Sequence, residues 1–186
     1  DCAAKGVKTV CVYAAGFAES GTEQGRDEEA RIIEKARKAG MRILGPNCIG
    51  IYCPKGHLTF NAETPREAGH VALISQSGRY SSEFVAMCAQ RGVRFSKAIS
   101  YGNGADINET ELLDYLGTDE ETHLIASYME GVKGGKRFAE VLRRVASVKP
   151  VIIVKGGFTD AGRRAANSHT ASLTGSEKLW QALLQQ

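Results

Sequence analysis

From Gly69 onward the chain repeats one unit: a short apolar run, a loop rich in glycine and serine, and an amphipathic helical pattern. The strand segments cover residues 70–75, 95–100, 124–128 and 151–154, the last an unbroken apolar run. Between them lie three helical patterns. Residues 79–91 place Phe84, Val85, Met87 and Cys88 inward and stop at Gly92. A helix around 111–116 takes its cap from Asn108 or Thr110, and 137–147 is built on Phe138, Val141, Leu142 and Val145. Alternation of this kind predicts an α/β fold with a doubly wound parallel sheet, whose ligands sit at the carboxyl ends of the strands. The last run, 151–154, reads as a buried strand.

Three loops at that edge carry chemistry. Ser75-Gln76-Ser77-Gly78 links a strand directly to a helix, an arrangement that presents N–H groups, hydroxyls and a helix dipole to an anion; its plainer reading is a tight turn with an N-cap serine. Glu130 stands just past the 124–128 strand, a carboxylate at the edge or simply an exposed acid. The glycine-punctuated loop 155–175 holds one imidazole, His169, which can serve as ligand, base or nucleophile or be incidental to a capping loop. His57, His70 and His123 have no partner pattern and read as surface or structural residues.

Ahead of this repeat, residues 8–15 read as a strand covered on both faces, and 26–39 as a helix whose inward positions are Ala30, Ile32, Ile33, Ala36 and Ala39. Residues 41–44 read as a second strand, completing a βαβ unit. Its exit, Gly45-Pro46-Asn47-Cys48-Ile49-Gly50, is forced into a sharp turn. Residues 52–68, with Pro54 and Pro65, have no period and read as a linker, giving two domains, 1–65 and 66–186. A chain opening in what reads as the end of a helix, a few residues before a strand, predicts a fragment whose amino terminus lies upstream.

Charge and cysteine content narrow the function classes. Twenty-four basic residues against 21 acidic ones leave a formal charge of +3, too balanced for a polybasic nucleic-acid face. No window approaches the ~18 apolar residues of a membrane span. The five cysteines, Cys2, Cys11, Cys48, Cys53 and Cys88, are odd in number and lack paired metal spacing. They read as free thiols in a reducing compartment, hence the cytoplasm, with no metal site.

Seven segments then stand in a recognisable order: Gly16-Phe17-Ala18-Glu19, Gly45-Pro46-Asn47-Cys48-Ile49-Gly50, Ile74-Ser75-Gln76-Ser77-Gly78, Ser100-Tyr101-Gly102-Asn103, Tyr128-Met129-Glu130-Gly131, Lys149-Pro150-Val151 and Ser168-His169-Thr170. Over essentially its whole length the chain resembles the α-type part of NDP-forming acyl-CoA synthetases, related to the succinyl-CoA synthetase α subunit. The resemblance implies a partial Rossmann-like CoA-binding domain followed by a flavodoxin-like domain with a transiently phosphorylated histidine. It implies the interconversion of a carboxylic acid, CoA and ATP or GTP with acyl-CoA, NDP and phosphate, through an acyl phosphate and a phosphohistidine.

Carried over by position, the resemblance makes His169 the phosphorylated residue and Glu130 the carboxylate that orients it. Ser75, Gln76, Ser77 and Gly78 become the phosphate-binding turn, and Gly16, Phe17, Glu19, Asn47 and Cys48 line the CoA and acyl region. ATP/ADP or GTP/GDP and Mg2+ belong to an ATP-grasp portion, a separate β-type subunit or a fused domain. The remaining implications are a small carboxylic acid substrate, no nucleic acid or membrane partner, and an oligomeric full-length protein. The glycine-rich turn for CoA's pyrophosphate and the segment beyond a helix around 177–184 are expected outside this sequence, so the isolated chain is expected to be inactive and its open sheet edge prone to self-association. The other reading from a different class is a catalytically silent, synthetase-like regulatory region of a protein acetyltransferase; retention of His169 with Glu130 argues for the enzyme.

Overall fold

A computed structural model describes residues 1–157 and Trp180. The elements run β1 (Thr9–Cys11), α1 (Glu23–Lys38), β2 (Arg42–Leu44), β3 (Gly50–Tyr52), β4 (Val71–Ser75), α2 (Gly78–Gln90), β5 (Phe95–Ser100), α3 (Glu109–Thr118), β6 (Leu124–Met129), α4 (Gly135–Ala146) and β7 (Val151–Lys155). Short 3₁₀ turns occupy Ala3–Lys5, Ala18–Ser20 and Pro54–Gly56. Strands β1 and β2 form a two-stranded parallel sheet. The other five form a second sheet in the order β3-β5-β4-β6-β7, parallel except for β3.

The period-2 alternation of strand side chains divides the five-stranded sheet between two cores. Ala72, Ile74, Ile99 and Ile125 face one side and pack with Leu112, Leu113 and Leu116 of α3 and Phe138, Val141, Leu142 and Val145 of α4. Leu73, Ala98 and Ala126 face the other, with Val85 of α2 and Phe95. Helices on both faces make the sheet doubly wound, as the repeat predicts. Trp180 lies in the first core, edge-to-face with Phe138.

Each described helix starts where its sequence supplies a cap or a permissive backbone. The side chains of Thr22, Ser77 and Asn108 accept amide N–H groups at the starts of α1, α2 and α3. Gly134 enters α4 with φ +69°, the left-handed region that favours glycine.

Several expectations need correction. Met87 is 45% exposed: it lies two positions, about 200°, around α2 from Val85, so only one of them can face the sheet. Strand β7 is covered on one face, with Ile152 52% and Val154 41% exposed; among the described helices, the one on that side is α2, which packs on β4 and β5, away from the β7 edge. Strand β1 is shorter than the 8–15 reading, and Thr9 and Cys11 are exposed.

The segment read as a linker is preceded by an unread strand, β3, which pairs antiparallel with β5. The segment itself is pinned back: Tyr52 is buried, donates to the Pro65 carbonyl at 2.6 Å and meets Phe60 edge-to-face. A division at 65/66 thus leaves on its amino-terminal side a strand whose hydrogen bonds belong to the larger sheet.

The two sheets are joined by side chains from the loop after β5. Asp106 accepts from both Arg37 and Arg42 guanidinium groups and from the Ile43 amide at 2.8 Å. Leu44 and Ile107 continue the contact as a parallel bridge. At the opposite, amino-terminal edge, the exposed rings of His70 and His123 stack at 4.1 Å, consistent with their surface reading.

Candidate functional site

In the order β5-β4-β6-β7 the chain steps from β4 to one side and then returns to β6 on the other. The carboxyl ends of β4 and β6 therefore flank the topological switch point, where the chain departs to opposite faces and leaves a crevice. The two loops singled out in sequence, 75–78 and Glu130, occupy those two strand ends.

The structure ties them together through Gln76. Its amide donates to the Tyr128 carbonyl at 3.0 Å, prolonging the β4–β6 ladder by one bond. Its side-chain Oε1 accepts the Glu130 amide at 2.9 Å. The two serines have different roles. Buried Ser75 donates its hydroxyl to the Ser77 carbonyl at 2.7 Å, so its proton is used in holding the turn. Ser77 Oγ accepts the Tyr80 amide at 3.2 Å and keeps its own proton to donate.

The amides of the first turn of α2 have no acceptor within the helix, so this end of the dipole suits an anion. A Cβ on Gly78 would lie 2.7 Å from Ile49 Cγ2, which shows how closely the Asn47-Cys48-Ile49 segment approaches the turn.

Glu130 is 8% exposed, and Tyr128 donates to its Oε1 at 3.3 Å. Lys155, at the end of β7, donates to the Glu130 carbonyl at 2.7 Å. Burial foremost, then the Glu130 charge and the hydrogen bond to it, push the Tyr128 phenol up to about 12. Burial lowers the Lys155 ammonium and Glu130 opposes the shift. Tyr101, fully buried in the loop after β5, has its phenol held well above its ordinary value by burial and by the charges of Glu109 and Glu130; its Oη has no partner. His169 lies outside the described residues. The strand that leads toward it ends beside Glu130: the Gly156 amide donates to the Met129 carbonyl, and a Cβ on Gly156 would lie 3.2 Å from Glu130 Cγ.

The second predicted group also gathers in one place. Glu19 Oε1 accepts the amides of Gly16 at 2.6 Å and Phe17 at 3.2 Å, and its Oε2 accepts from Asn103 Nδ2 at 2.5 Å. Burial works to raise the Glu19 carboxyl, but the bonds from Asn103 and the two amides outweigh it and hold it below its usual range. Asn47, in the left-handed region at φ +56°, meets Asn103 Oδ1 at 3.4 Å. Cys48 is buried with its thiol directed at the carbonyls of Val12 and Leu44, and burial foremost pushes that thiol up to about 11.

Two members of the site escape sequence reasoning. Asn103 bridges Glu19, Glu29 and Asn47; its presence in the Ser100–Asn103 segment was the available signal. Glu109, buried at the start of α3, accepts the Lys133 amide at 2.6 Å and so fixes the loop that follows Glu130. Burial foremost raises its carboxyl. Lys149 is structural, its Nζ meeting the carbonyls of Leu116 and Asp119. Among the described residues no group of three or more His, Cys, Asp and Glu side chains is placed to hold a metal ion.

Fold and crevice define a flavodoxin-like α/β domain with an anion-ready helix start and a buried carboxylate at its switch point. Residues 68–186 match the family of succinyl-CoA ligase like flavodoxin domains, and the chain belongs to that family. It is 45% identical over its whole length to the α subunit of ADP-forming acetate–CoA ligase II from Pyrococcus furiosus, and 44% identical to the corresponding subunit of ligase I. Among solved structures it superposes on Candidatus Korarchaeum cryptofilum dinucleotide-forming acetyl-coenzyme A synthetase 1, in complex with phosphate and ADP, with a TM-score of 0.89 at 36% identity over 100% of this chain. The chain spans about 40% of the length of each of these relatives.

Proposed function

We propose that this chain is part of an NDP-forming acyl-CoA synthetase and carries its phosphohistidine step. The supporting observation is the Gln76 bridge, which fixes an anion-ready helix start and the Glu130 carboxylate relative to one another across the switch point. In this reading an imidazole nitrogen of His169 attacks the phosphorus of an acyl phosphate, the P–O bond to the acyl oxygen breaks, and the carboxylic acid leaves as its anion. The phosphohistidine then passes its phosphoryl group to NDP, and the reverse sequence runs the reaction the other way. Glu130 holds the tautomer and stabilises the positive charge on the ring as the bond forms. The free first-turn amides of α2, with Ser77 Oγ–H, provide donors for the phosphoryl oxygens.

The residues present fit both phosphate and part of a CoA site. Gly16, at φ +102°, would point a Cβ into open space, so its backbone is bare toward whatever covers it, and Glu19 holds that turn in place. Gly16, Phe17, Glu19, Asn47 and Cys48 would line the CoA and acyl region; CoA supplies the thiol that accepts the acyl group. The proposal divides the chain into a CoA-binding part, 1–65, and a phosphohistidine part, 66–186. It assigns ATP or GTP and Mg2+ to an ATP-grasp partner, takes a small carboxylic acid as substrate, and expects an oligomer when full-length.

A cytoplasmic setting belongs to the same proposal. All five cysteines are free, as a reducing compartment favours, and no helix among the described residues is long and apolar enough to cross a membrane. The relatives reported above are ligases or synthetases, which leaves the regulatory acetyltransferase reading without support. The test is phosphate incorporation into the full-length protein given ATP and Mg2+. Acid-labile, base-stable label is expected and should vanish in His169→Asn; equal labelling of that variant would show that the nucleophile is another residue.

A further inference from the structure

We infer that Tyr128 is a positioning residue for Glu130: its hydroxyl holds Oε1 and so fixes the orientation of the carboxylate at the end of β6, where Gly156, having no Cβ, lets the pair sit close. This rests on the phosphohistidine reading and adds to it a residue outside the predicted site. Residues two apart on a strand share a face, so the Tyr128-Met129-Glu130 spacing sets phenol and carboxylate side by side as β6 ends. The contact is the Tyr128 Oη donation to Glu130 Oε1 at 3.3 Å.

Two further elements brace it. From α2, the Tyr80 ring stacks on Tyr128 with centroids 4.4 Å apart, and Phe84 stacks on Tyr80 one turn later. Tyr80 is also the residue whose amide is bound by Ser77 Oγ. The phenol is therefore held by the same helix that opens with the phosphate turn. From β7, a Cβ on Gly156 would stand 2.7 Å from Tyr128 Oη and 3.2 Å from Glu130 Cγ, so any larger residue there pushes the pair apart.

Among the described residues, the charged and titratable groups around the carboxylate are Tyr101 from the loop after β5, Tyr128 from β6, and Lys155 from β7, whose Nζ donates to the Glu130 carbonyl. With the phenol held up at about 12, it remains a donor across the neutral range.

The experiment uses the full-length parent enzyme with its nucleotide-binding portion and follows the rate of phosphate labelling from ATP and Mg2+. Tyr128→Phe should label about 10- to 20-fold more slowly, the lower end of the loss expected for one hydrogen bond to a charged acceptor, as suits a contact of 3.3 Å. Gly156→Ala should slow labelling in the same direction, and should cost much less in the Tyr128→Phe background, where the colliding oxygen is gone.

A Tyr128→Phe enzyme that labels at the wild-type rate would overturn the proposal. So would a Gly156→Ala penalty that is equal in both backgrounds. Glu130→Gln labelling at the wild-type rate would instead bring down the reading beneath it.

Discussion

The two groups of site residues meet along one edge of the molecule but are held in different ways. The switch-point group is built on backbone: the Gln76 amide extends the β4–β6 ladder, and the Gly156 amide continues β7 onto the Met129 carbonyl. In the amino-terminal group the turn at Asn47 is also backbone-bonded, its amide to the Ala14 carbonyl and the Asn103 amide to the Pro46 carbonyl, but the Gly16–Glu19 turn hangs on side chains. The group borders a sheet of two three-residue strands, and its Glu19 turn is tied to the rest of the site by the side chain of Asn103, an amide borrowed from the loop after β5. The phosphate site proposed at the switch point, which needs donors at fixed positions, would thus get them from sheet geometry. The loop proposed to meet CoA is positioned by hydrogen bonds that can be replaced one at a time.

The seam between the two groups is Gly102, and the largest effect is expected there. Its φ is +54°, and an added Cβ would stand 2.2 Å from the Pro46 carbonyl oxygen and 2.3 Å from that of Asn47. Neither backbone atom can give way without moving the turn. Gly102→Ala should cost about 3 kcal/mol or more and lower Tm by roughly 6–12 °C, measured by thermal melting. An unchanged Tm would mean that the seam is loose and the two groups are independently seated.

Function should divide along the same line. Ser77→Ala should slow phosphate labelling about 10-fold and remove a helix cap worth ~1 kcal/mol. Ser77→Asp restores the cap but sets a negative charge against the phosphoryl group, so it should recover Tm and lose labelling. Asn103→Ala should leave the labelling rate within about twofold while raising KM for CoA about 10-fold, since it releases the Glu19 turn by ~1 kcal/mol or more. If Asn103→Ala and Ser77→Ala impair the same step, the site does not divide as the geometry suggests.

What could be read from the sequence follows this contrast. Strand β5 falls on the predicted residues 95–100, a short segment bounded by turn residues that is buried throughout although Ser96, Lys97 and Ser100 are polar, and Asn108 caps α3 because its short amide is suited to that place. The switch-point loops were legible because strand, serine-glycine turn and helix occur in succession. Asn103 and Glu109 were not singled out, since their importance comes from partners far away in the chain: Glu19 and Glu29 for one, Lys133 for the other. Strand β3 escaped for a related reason. Three residues carry too little pattern, and its pairing with β5 is a tertiary fact. Met87 and the outer face of β7 were misjudged because hydrophobic type does not reveal which face a neighbour covers.

The smallest effects should come from two buried acids, one for each region, and they should have opposite signs. Asp106 secures the amino-terminal region. Burial works to raise its carboxyl, but the Ile43 amide and the Arg42 and Arg37 guanidinium groups prevail and hold it low. A depressed folded pKa gives stability that is present above the unfolded value, about 3.9, and is lost as pH falls through the folded one. Asp106→Asn should therefore cost about 1–2 kcal/mol at pH 7, less than for a fully buried pair because Arg37 and Arg42 are 61% and 42% exposed, and the cost should begin to shrink near about pH 4 and vanish only once pH has fallen below the depressed folded value.

Glu109, on the switch-point side, is raised by burial foremost, with the Lys133 amide only partly compensating. Ionisation of a carboxyl raised in this way costs stability as pH climbs through and past its unfolded value, about 4.3. A neutral amide of the same shape can still accept the Lys133 N–H. Glu109→Gln should thus gain about 0.5–1 kcal/mol at pH 7, or roughly 1–4 °C in Tm, with the gain shrinking toward pH 4. A Glu109→Gln variant less stable than the parent at pH 7 would show that the charge itself is wanted in the loop after Glu130, and that the switch-point region depends on ion pairing as much as the amino-terminal one.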